Sequence, residues 1–319
     1  MKEIIYNNDK EIRLDHYLKD VLTSISRTKI QKLIKAGSIK VDDFIVKPSF
    51  ILKDKVIISY DESSTIKKDN NLIPEKMNLD IIYEDDHIVA INKPSGIVVH
   101  PGTGNSNGTL LNGMLYHFDK LSAIDNQRPG VIHRLDKFTS GIILFAKTDE
   151  SHYAISSQFA ERRVKKTYKA LVWGNVVNQD EIKGYINRDP NNRLAYRVDD
   201  NKGKLSLTNF KVLENYNIPI SLLDVFPQTG RTHQIRVHLS SIGNPIINDL
   251  LYGGGEKKIK SFHAKHNLNL KKIIKISDRV ALHASEISFY HPKNNKEVTF
   301  KAPLPDDFLN TIKALKSYE

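Results

Sequence analysis

A polar stretch from Asp61 to Met77 divides the sequence into two unequal parts. It is rich in serine, lysine, aspartate and asparagine, contains a proline, and has no periodic pattern of apolar side chains. Such a composition is typical of a linker rather than of a helix or a strand. A chain of 319 residues is also long enough for two domains. We therefore predict a first domain over residues 1–62, a linker over 63–77 and a second domain over 78–319.

The first part has the pattern of a small α/β module. Apolar residues between Leu14 and Leu22 are spaced as on one face of a helix. A second predicted helix begins near Ser26, a favourable N-cap residue, and ends at Gly37. Three short runs with β-sheet composition follow, and we predict strands over residues 39–41, 44–46 and 55–60.

The second part alternates strand-like runs with a few helical ones. Predicted strands cover residues 81–83, 88–91, 142–147, 167–173, 205–214, 220–227, 287–290 and 298–301. A helix is predicted from Asp149, as its cap, to about Arg162. Runs of strands with inserted helices indicate an α+β fold. We expect a mixed, mainly antiparallel sheet with flanking helices, preceded by the small α/β module.

Composition excludes several classes of site and favours a polyanionic partner. The absence of cysteine excludes disulfide frameworks, thiolate zinc sites, a cysteine nucleophile and iron–sulfur clusters. Forty-eight basic residues against 37 acidic ones give a net charge of +11, which favours RNA or DNA as a partner. The alternative is a lysine-rich, solvated surface. Because no signal-peptide core or membrane-length apolar run is present, we expect a cytoplasmic protein without membrane contact.

The densest group of chemically capable residues lies between Gly130 and Gly141. His133, Arg134 and Asp136 stand there between two apolar segments, where a carboxylate is costly to bury unless it is paired or used. An arginine nearby would keep it ionised, ready to act as a nucleophile or a base. The alternative is a purely structural ion pair. Because Arg-Leu-Asp also occurs at residues 13–15, the tripeptide alone indicates no function.

A second dense group runs from Gln228 to Gly243. We predict a helix there, capped by Thr232, with Arg236 in its early turns and able to reach a carboxylate or a phosphate. The alternative for Arg236 is a surface side chain that covers a core helix.

Tyr168 follows a basic run at the start of a predicted strand. If strands 142–147 and 167–173 are parallel, their starts share one sheet edge, and Asp136 meets the Tyr168 ring. A carboxylate, an aromatic face and nearby cations together suit a base extruded from a nucleic acid.

Other motifs are weaker. The glycines between Gly102 and Gly108 resemble a phosphate loop, but their spacing matches neither the dinucleotide nor the Walker pattern. A two-histidine–carboxylate metal site from His133, Asp136 and His233 or His238 has no compact ligand spacing. Ser140 lacks the nucleophile-elbow sequence of a triad hydrolase. We therefore expect no metal and no cofactor, with a nucleotide-dependent enzyme as an alternative.

Residues 78–319 resemble the ribosomal large-subunit pseudouridine synthases of the RluA/RluD type. The matching segments, in family order, are Asn92–Gly96, Val98–Gly102, His133–Gly141, Lys165–Ala170, Thr229–His238, Leu251–Gly254 and Ala281–Ala284. Residues 13–60 resemble the S-four type of RNA-binding module, chiefly over Ile25–Val41. The resemblance implies an isomerase that breaks the bond from uracil to ribose and rejoins the base through carbon 5. No atoms are gained or lost, so the resemblance implies no cofactor.

The resemblance also implies roles for individual residues. Asp136 matches the catalytic aspartate, and Arg134 matches the arginine that helps to displace the target uridine from its RNA context. Tyr168 matches the tyrosine that stacks on the base, and Arg236 the arginine that pairs with the catalytic carboxylate. Where relatives usually have glycine before Asp249, this chain has Asn248. We expect that departure to affect only local loop shape.

The partner implied by the resemblance is large-subunit ribosomal RNA or its assembling precursor. In the first module the basic residues expected to bind RNA phosphates are Arg27, Lys29, Lys32 and Lys35. Two alternatives remain open. One is a synthase that acts on tRNA, and the other is a non-catalytic RNA-binding factor of ribosome assembly.

Overall fold

A computed structural model describes residues 2–22, 25, 27–61, 72–102, 104–177 and 180–318. The chain folds into two compact units, Met1–Asn71 and Leu72–Glu319. Residues 63–71 of the predicted linker lie outside the described residues. The remainder of that linker runs along the second unit, where the Asn112 side chain donates to the Ile73 carbonyl (2.8 Å). None of the described helices has the length and apolar character needed to cross a membrane.

The first unit is a small α/β structure. Its elements are β1 (Lys2–Asn7), β2 (Ile12–Arg13), α1 (Leu14–Val21), α2 (Arg27–Lys35), β3 (Ile39–Val41), β4 (Ile51–Leu52) and β5 (Lys55–Tyr60). Strands β1, β5 and β3 form an antiparallel sheet in that order, and β2 pairs with β4. Fully buried Leu14, Leu18, Ile30, Ile34 and Ile58 form its core. The predicted cap Ser26 lies outside the described residues.

The predicted strand over residues 44–46 is wrong. Asp42 and Asp43 both have positive φ, which closes a tight turn between Val41 and Phe44. Beyond this turn the chain makes only an isolated bridge, and Phe44 is 73% exposed. Aspartate tolerates the left-handed conformation better than most residues do, so the turn forms at this dipeptide.

The second unit contains a ten-stranded sheet among the described residues. Its strands are β6 (Ile81–Glu84), β7 (Ile88–Lys93), β8 (Ser140–Ala146), β9 (Lys165–Trp173), β10 (Asp180–Arg188), β11 (Tyr196–Asp199), β12 (Lys204–Asn215), β13 (Ile220–Pro227), β14 (Leu282–Tyr290) and β15 (Glu297–Lys301). Their order is β11-β10-β12-β13-β9-β14-β8-β7-β6, and β15 pairs with β14. The β8–β14 pair is parallel and the other described pairs are antiparallel. The predicted α+β class with a mixed, mainly antiparallel sheet is confirmed.

Helices flank this sheet. They are α3 (Leu110–His117), α4 (Asp149–Ala160), α5 (Gln234–Ser241), α6 (Asn267–Ser277) and α7 (Asp306–Lys316), with short 3-10 helices at Leu250–Tyr252, Glu256–Ser261 and Ala264–His266. One buried apolar cluster surrounds Trp173 and Leu223, and a second surrounds Ile143 and Phe145. Tyr168 packs against both clusters, so its ring stands where the two cores meet.

The helix caps differ from the sequence predictions. Thr148, not Asp149, caps α4 by accepting the N–H of Ser151. The predicted cap Thr232 of α5 is also wrong, because the chain enters that helix through His233 at φ +56° with no side-chain cap. Periodicity located both helices, but a loop conformation of this kind has no periodic signal.

The hypothesis that strands 142–147 and 167–173 run parallel is wrong. Strand β14 lies between β8 and β9, parallel to β8 and antiparallel to β9. Ala284 on β14 is opposite Gly141 of β8 on one side and opposite Tyr168 of β9 on the other. Tyr168 therefore lies level with the start of β8, the strand that follows Asp136 in the chain. The register of the strands produces this alignment, and a shared strand direction does not.

We predict that Gly141→Ala lowers the free energy of unfolding by more than about 3 kcal/mol. Gly141 has φ +108°, and an added Cβ would lie 2.2 Å from the carbonyl oxygen of Ala284. Strands β8 and β14, which pair in parallel at this point, must then separate. Gly253 is the control, since it has φ +82° with nothing within 4 Å of the added Cβ. Gly253→Ala should cost about 1–2 kcal/mol for its backbone conformation alone. Equal losses in chemical denaturation would contradict the close contact.

Candidate active site

A cavity of about 510 Å³ opens in the second unit. Its walls come from the segment before β8, from the end of α4 and the start of β9, and from the loop into α5. The sequence-predicted residues Arg134, Asp136, Tyr168 and Arg236 all line it. The fold therefore brings together four residues that are up to 102 positions apart in sequence.

Backbone contacts fix the loop that carries Asp136. The N–H of Gly96 donates to the Lys137 carbonyl (2.8 Å), and the Ser95 hydroxyl donates to the Phe138 carbonyl (2.9 Å). Lys93 is fully buried and its ammonium donates to the carbonyls of Pro94, Ile97 and Lys137 at 2.8–3.2 Å. Burial lowers the pKa of Lys93 to about 7, although the charge of Asp136 opposes this shift.

Lys93 is a buried residue beside the site that the sequence analysis did not predict. The segment Asn92–Gly96 was recognised as a motif, but no contact was predicted for it. A lysine at the buried end of an apolar strand was the available signal, because such a side chain must find acceptors inside the protein. Its role in this structure is to tie one loop to the next, directly behind Asp136.

Arg236 lies between two carboxylates. Its Nε and Nη2 donate to the two oxygens of Asp249 (2.6 and 2.8 Å), and its Nη1 donates to Oδ2 of Asp136 (3.2 Å). Asp249 is 1% exposed, whereas the Asp136 side chain is 19% exposed and faces the cavity. Although burial opposes it, bonding to both carboxylates raises the pKa of Arg236. The predicted pairing of Arg236 with Asp136 is present in the structure, and Asp249 is its stronger partner.

The departure at Asn248, which we expect to affect only local loop shape, directly precedes the carboxylate that holds Arg236. Asn248 has φ +61°, a conformation that favours glycine and that asparagine tolerates. Asparagine in place of glycine at this position thus keeps the backbone conformation that brings Asp249 to Arg236. A carboxylate 13 residues from its arginine gives no periodic signal, so this contact was not predicted.

His233 also faces Asp136. The hydroxyl of Tyr252 accepts the N–H of Tyr196 (3.0 Å) and lies within hydrogen-bond distance of Nδ1 of His233 (2.7 Å). Nε2 of the same ring lies 3.9 Å from Oδ2 of Asp136. Burial lowers the pKa of His233, so the ring is neutral at neutral pH. The Tyr252 ring also lies under the Arg236 guanidinium, 4.9 Å from its carbon.

Tyr168 presents a ring to the cavity. Burial, and then the charge of Asp136, raise the pKa of its hydroxyl, which stays protonated at neutral pH. Arg134 is exposed at the rim and makes no ion pair among the described residues. The site therefore combines a held carboxylate, an aromatic face and an unpaired cation.

Two alternatives from the sequence lack structural support. Within the described ranges no group of three histidine, aspartate or glutamate side chains is placed to hold a metal. Nε2 of His133 instead accepts the N–H of Leu144 (3.0 Å). In the glycine segment the N–H of Gly108 donates to the Glu75 carboxylate (3.0 Å). That carboxylate therefore occupies the position that a bound phosphate would need.

The predicted RNA-binding residues of the first unit lie on α2. Lys32 and Lys35 are exposed, and Lys35 shares a groove with Arg13 and Lys47. Arg27 is exposed but donates to the fully buried Asp15 at 2.9 and 3.1 Å. The side chain of Lys29 lies outside the described part of the chain.

Asp15 lies in the first turn of α1 and is fully buried. Although burial opposes it, hydrogen bonds from Arg13, Gln31 and Arg27 hold the pKa of its carboxyl below the usual value. It joins α1 to α2. The Arg-Leu-Asp tripeptide at residues 13–15 therefore forms a structural ion pair.

Comparison with known proteins gives two family matches. Residues 87–241 match the model of the RNA pseudouridylate synthases, and residues 12–58 match the S4 domain. A protein of Neisseria meningitidis serogroup A named ribosomal large subunit pseudouridine synthase D is 40% identical, over 95% of this chain and 79% of that protein. The protein of the same name in Zymomonas mobilis is 35% identical, over 95% of this chain and 93% of that protein.

A solved structure resembles the second unit as well. Human RNA pseudouridylate synthase domain containing 1 superimposes with a TM-score of 0.54 at 28% identity, over 72% of this chain and 84% of that one. The likeness at this level of identity supports both the fold and the family match.

We predict that Asp249→Ala lowers the free energy of unfolding by about 3 kcal/mol, because it leaves most of a buried guanidinium uncompensated. Turnover should fall as well, since Arg236 would no longer be fixed against Asp136. The control is Glu297→Ala, which breaks an exposed ion pair with Lys165 and should cost at most about 1 kcal/mol. Urea denaturation of both variants measures the difference. A loss for Asp249→Ala no larger than the control's would contradict the assigned pairing.

Proposed function

The chain belongs to the RNA pseudouridine synthase family of isomerases, and from that premise we propose that it converts specific uridines of large-subunit ribosomal RNA into pseudouridines. The relatives named ribosomal large subunit pseudouridine synthase D support this substrate class. The observation that carries the proposal is Asp136, a carboxylate held by Arg236 at the wall of a cavity that also exposes Tyr168. We place this activity in the cytoplasm, where bacterial ribosomal RNA is made.

The reaction needs a site that can hold a detached base. The bond from N1 of uracil to C1′ of ribose breaks, the uracil turns, and a bond from C5 to C1′ forms. N1 gains a proton and C5 loses one, so atoms balance without a co-reactant. The cavity of about 510 Å³ falls within the size of small-ligand sites, roughly 300–1,000 Å³, and suits one nucleotide extruded from the RNA.

In this proposal each residue of the site has one role. Asp136 attacks the base or the sugar, or accepts a proton there, and Arg236 keeps its carboxylate in position. Tyr168 stacks on the uracil, a contact worth about 1–3 kcal/mol. Arg134 at the rim helps to displace the target uridine from its RNA context. The intact set of Asp136, Tyr168 and Arg236 favours catalysis over a purely RNA-binding factor, since binding alone would not need all three.

In this proposal the first unit supplies affinity for RNA. Lys32 and Lys35 on α2, with Arg27 and Lys29, bind RNA phosphates and respond to shape rather than to sequence. The S4 domain match over residues 12–58 supports that assignment.

We predict that Asp136→Asn abolishes turnover and leaves RNA affinity within about 1 kcal/mol, because it removes the reacting carboxylate and no positive charge. The assay is pseudouridine mapping of total bacterial RNA that lacks these modifications, after treatment with wild-type protein or the variant. Discrete sites in large-subunit rRNA that require Asp136 are the expected result. Sites confined to tRNA would overturn the substrate, and undiminished turnover of Asp136→Asn would overturn its catalytic role.

We predict that Lys32→Gln/Lys35→Gln weakens RNA binding and lowers the slope of log affinity against log salt by about 1.5–2, since two phosphate contacts are lost. The control is Lys53→Gln/Lys55→Gln, which removes two exposed lysines of the same unit outside α2. Filter binding to a large-subunit rRNA transcript at several salt concentrations gives both slopes. Identical slopes for the two double variants would contradict a specific role for α2.

A further inference from the structure

Lys166 places an ammonium group in the wall of the cavity without an acidic partner. It lies on β9 and is only partly exposed. Its neighbours on that strand are paired, Lys165 with Glu297 (2.9 Å) and Lys169 with Asp224 (2.7 Å). Among the described residues no carboxylate lies within 4.0 Å of the Lys166 ammonium, which instead lies 5.9 Å from the centre of the Phe159 ring.

The strand aims Lys166 to the same side as Tyr168. Residues two apart on a strand share one face and lie about 7 Å apart. Both residues line the cavity. The extra residue that shifts the β9–β14 register lies in β14, so side chains still alternate regularly along β9. A uracil stacked on Tyr168 therefore places the sugar–phosphate backbone of its own nucleotide within reach of Lys166.

The charges that line the cavity do not balance. They are those of Arg134, Asp136, Arg162, Lys166, Arg231 and Arg236. Asp136 is the acidic member and pairs with Arg236, which is already bound to Asp249. The other four cations make no ion pair among the described residues, and Nε of Arg231 is buried without a hydrogen-bond partner. Uracil and ribose carry no charge, so the excess is matched to the phosphates of the RNA.

Keeping Lys166 here is costly to the folded protein. Burial lowers its pKa to about 8, and the adjacent His133 is neutral because burial and then the charge of Lys166 lower the imidazole pKa to about 3. Nothing in the described chain offsets that cost beyond the Phe159 ring. A bound anion would offset the cost of burying the Lys166 ammonium.

We propose that Lys166 binds a backbone phosphate next to the target uridine and so holds the extruded nucleotide against Tyr168. The inference rests on the proposed function and adds to it a residue that binds the substrate. Arg162 and Arg231, which face the same cavity, complete a cationic wall around that phosphate.

The test compares Lys166→Gln with Lys165→Gln, its matched control. Each removes one ammonium from β9, but Lys165 is exposed and paired with Glu297. With unmodified large-subunit rRNA transcript, Lys166→Gln should lower kcat/KM about tenfold or more, the loss of a charge-assisted hydrogen bond. It should also lower the salt slope of equilibrium binding by about one. Lys165→Gln should stay within about twofold of wild type, and Lys166→Arg should recover most of the loss. Equal behaviour of Lys166→Gln and Lys165→Gln would overturn the proposal.

A second arm identifies the phosphate. Short oligoribonucleotides around a mapped uridine carry one uncharged methylphosphonate, on either the 5′ or the 3′ side of that uridine. One replacement should weaken binding to wild type about tenfold and leave binding to Lys166→Gln unchanged. An equal loss for both proteins at both positions would overturn the contact. Wild-type protein that makes no pseudouridine would instead overturn the proposed function, and the phosphate contact would still be decided by the binding slopes on the transcript.

Discussion

The candidate site depends on one arginine that is divided between two carboxylates. Asp249 takes the Nε and Nη2 edge of Arg236 in a bidentate pair and so fixes the plane of the guanidinium. The remaining Nη1 then points in one direction, to Asp136. A buried guanidinium needs such compensation. Because Asp249 supplies most of this compensation, the Asp136 side chain can stay partly exposed to the cavity.

The sheet determines which residues share that cavity. Strand β14 stands between β8 and β9, and Ala284 is opposite both Gly141 and Tyr168. This register sets the aromatic ring level with the loop of Asp136. Lys93 holds the same loop from behind through the Lys137 carbonyl. Loop, ring and arginine therefore come from distant parts of the sequence but are fixed to one rigid frame.

Sequence patterns predicted the elements of this fold better than their arrangement. Apolar periodicity located α4 and most of the sheet strands, because burial on one face leaves a regular trace in the sequence. It could not give strand order or direction, so the hypothesis that β8 and β9 run parallel was wrong, although Asp136 and Tyr168 do line one cavity. Asp249 was missed for a related reason. Its contact with Arg236, 13 residues earlier, depends on the loop conformation at Asn248, which leaves no periodic pattern in the sequence. The roles of Asp136, Arg134, Tyr168 and Arg236 stay predictions.

The central claim is that an extruded uridine lies in this cavity between Tyr168 and Asp136. A crystal structure of Asp136→Asn bound to an oligoribonucleotide around a mapped uridine tests it most directly, because the variant keeps the shape of the site and stops the reaction. We expect the uracil stacked on the Tyr168 ring, with its glycosidic bond beside residue 136. A uridine still stacked in its RNA, or a base bound elsewhere on the chain, would contradict the account.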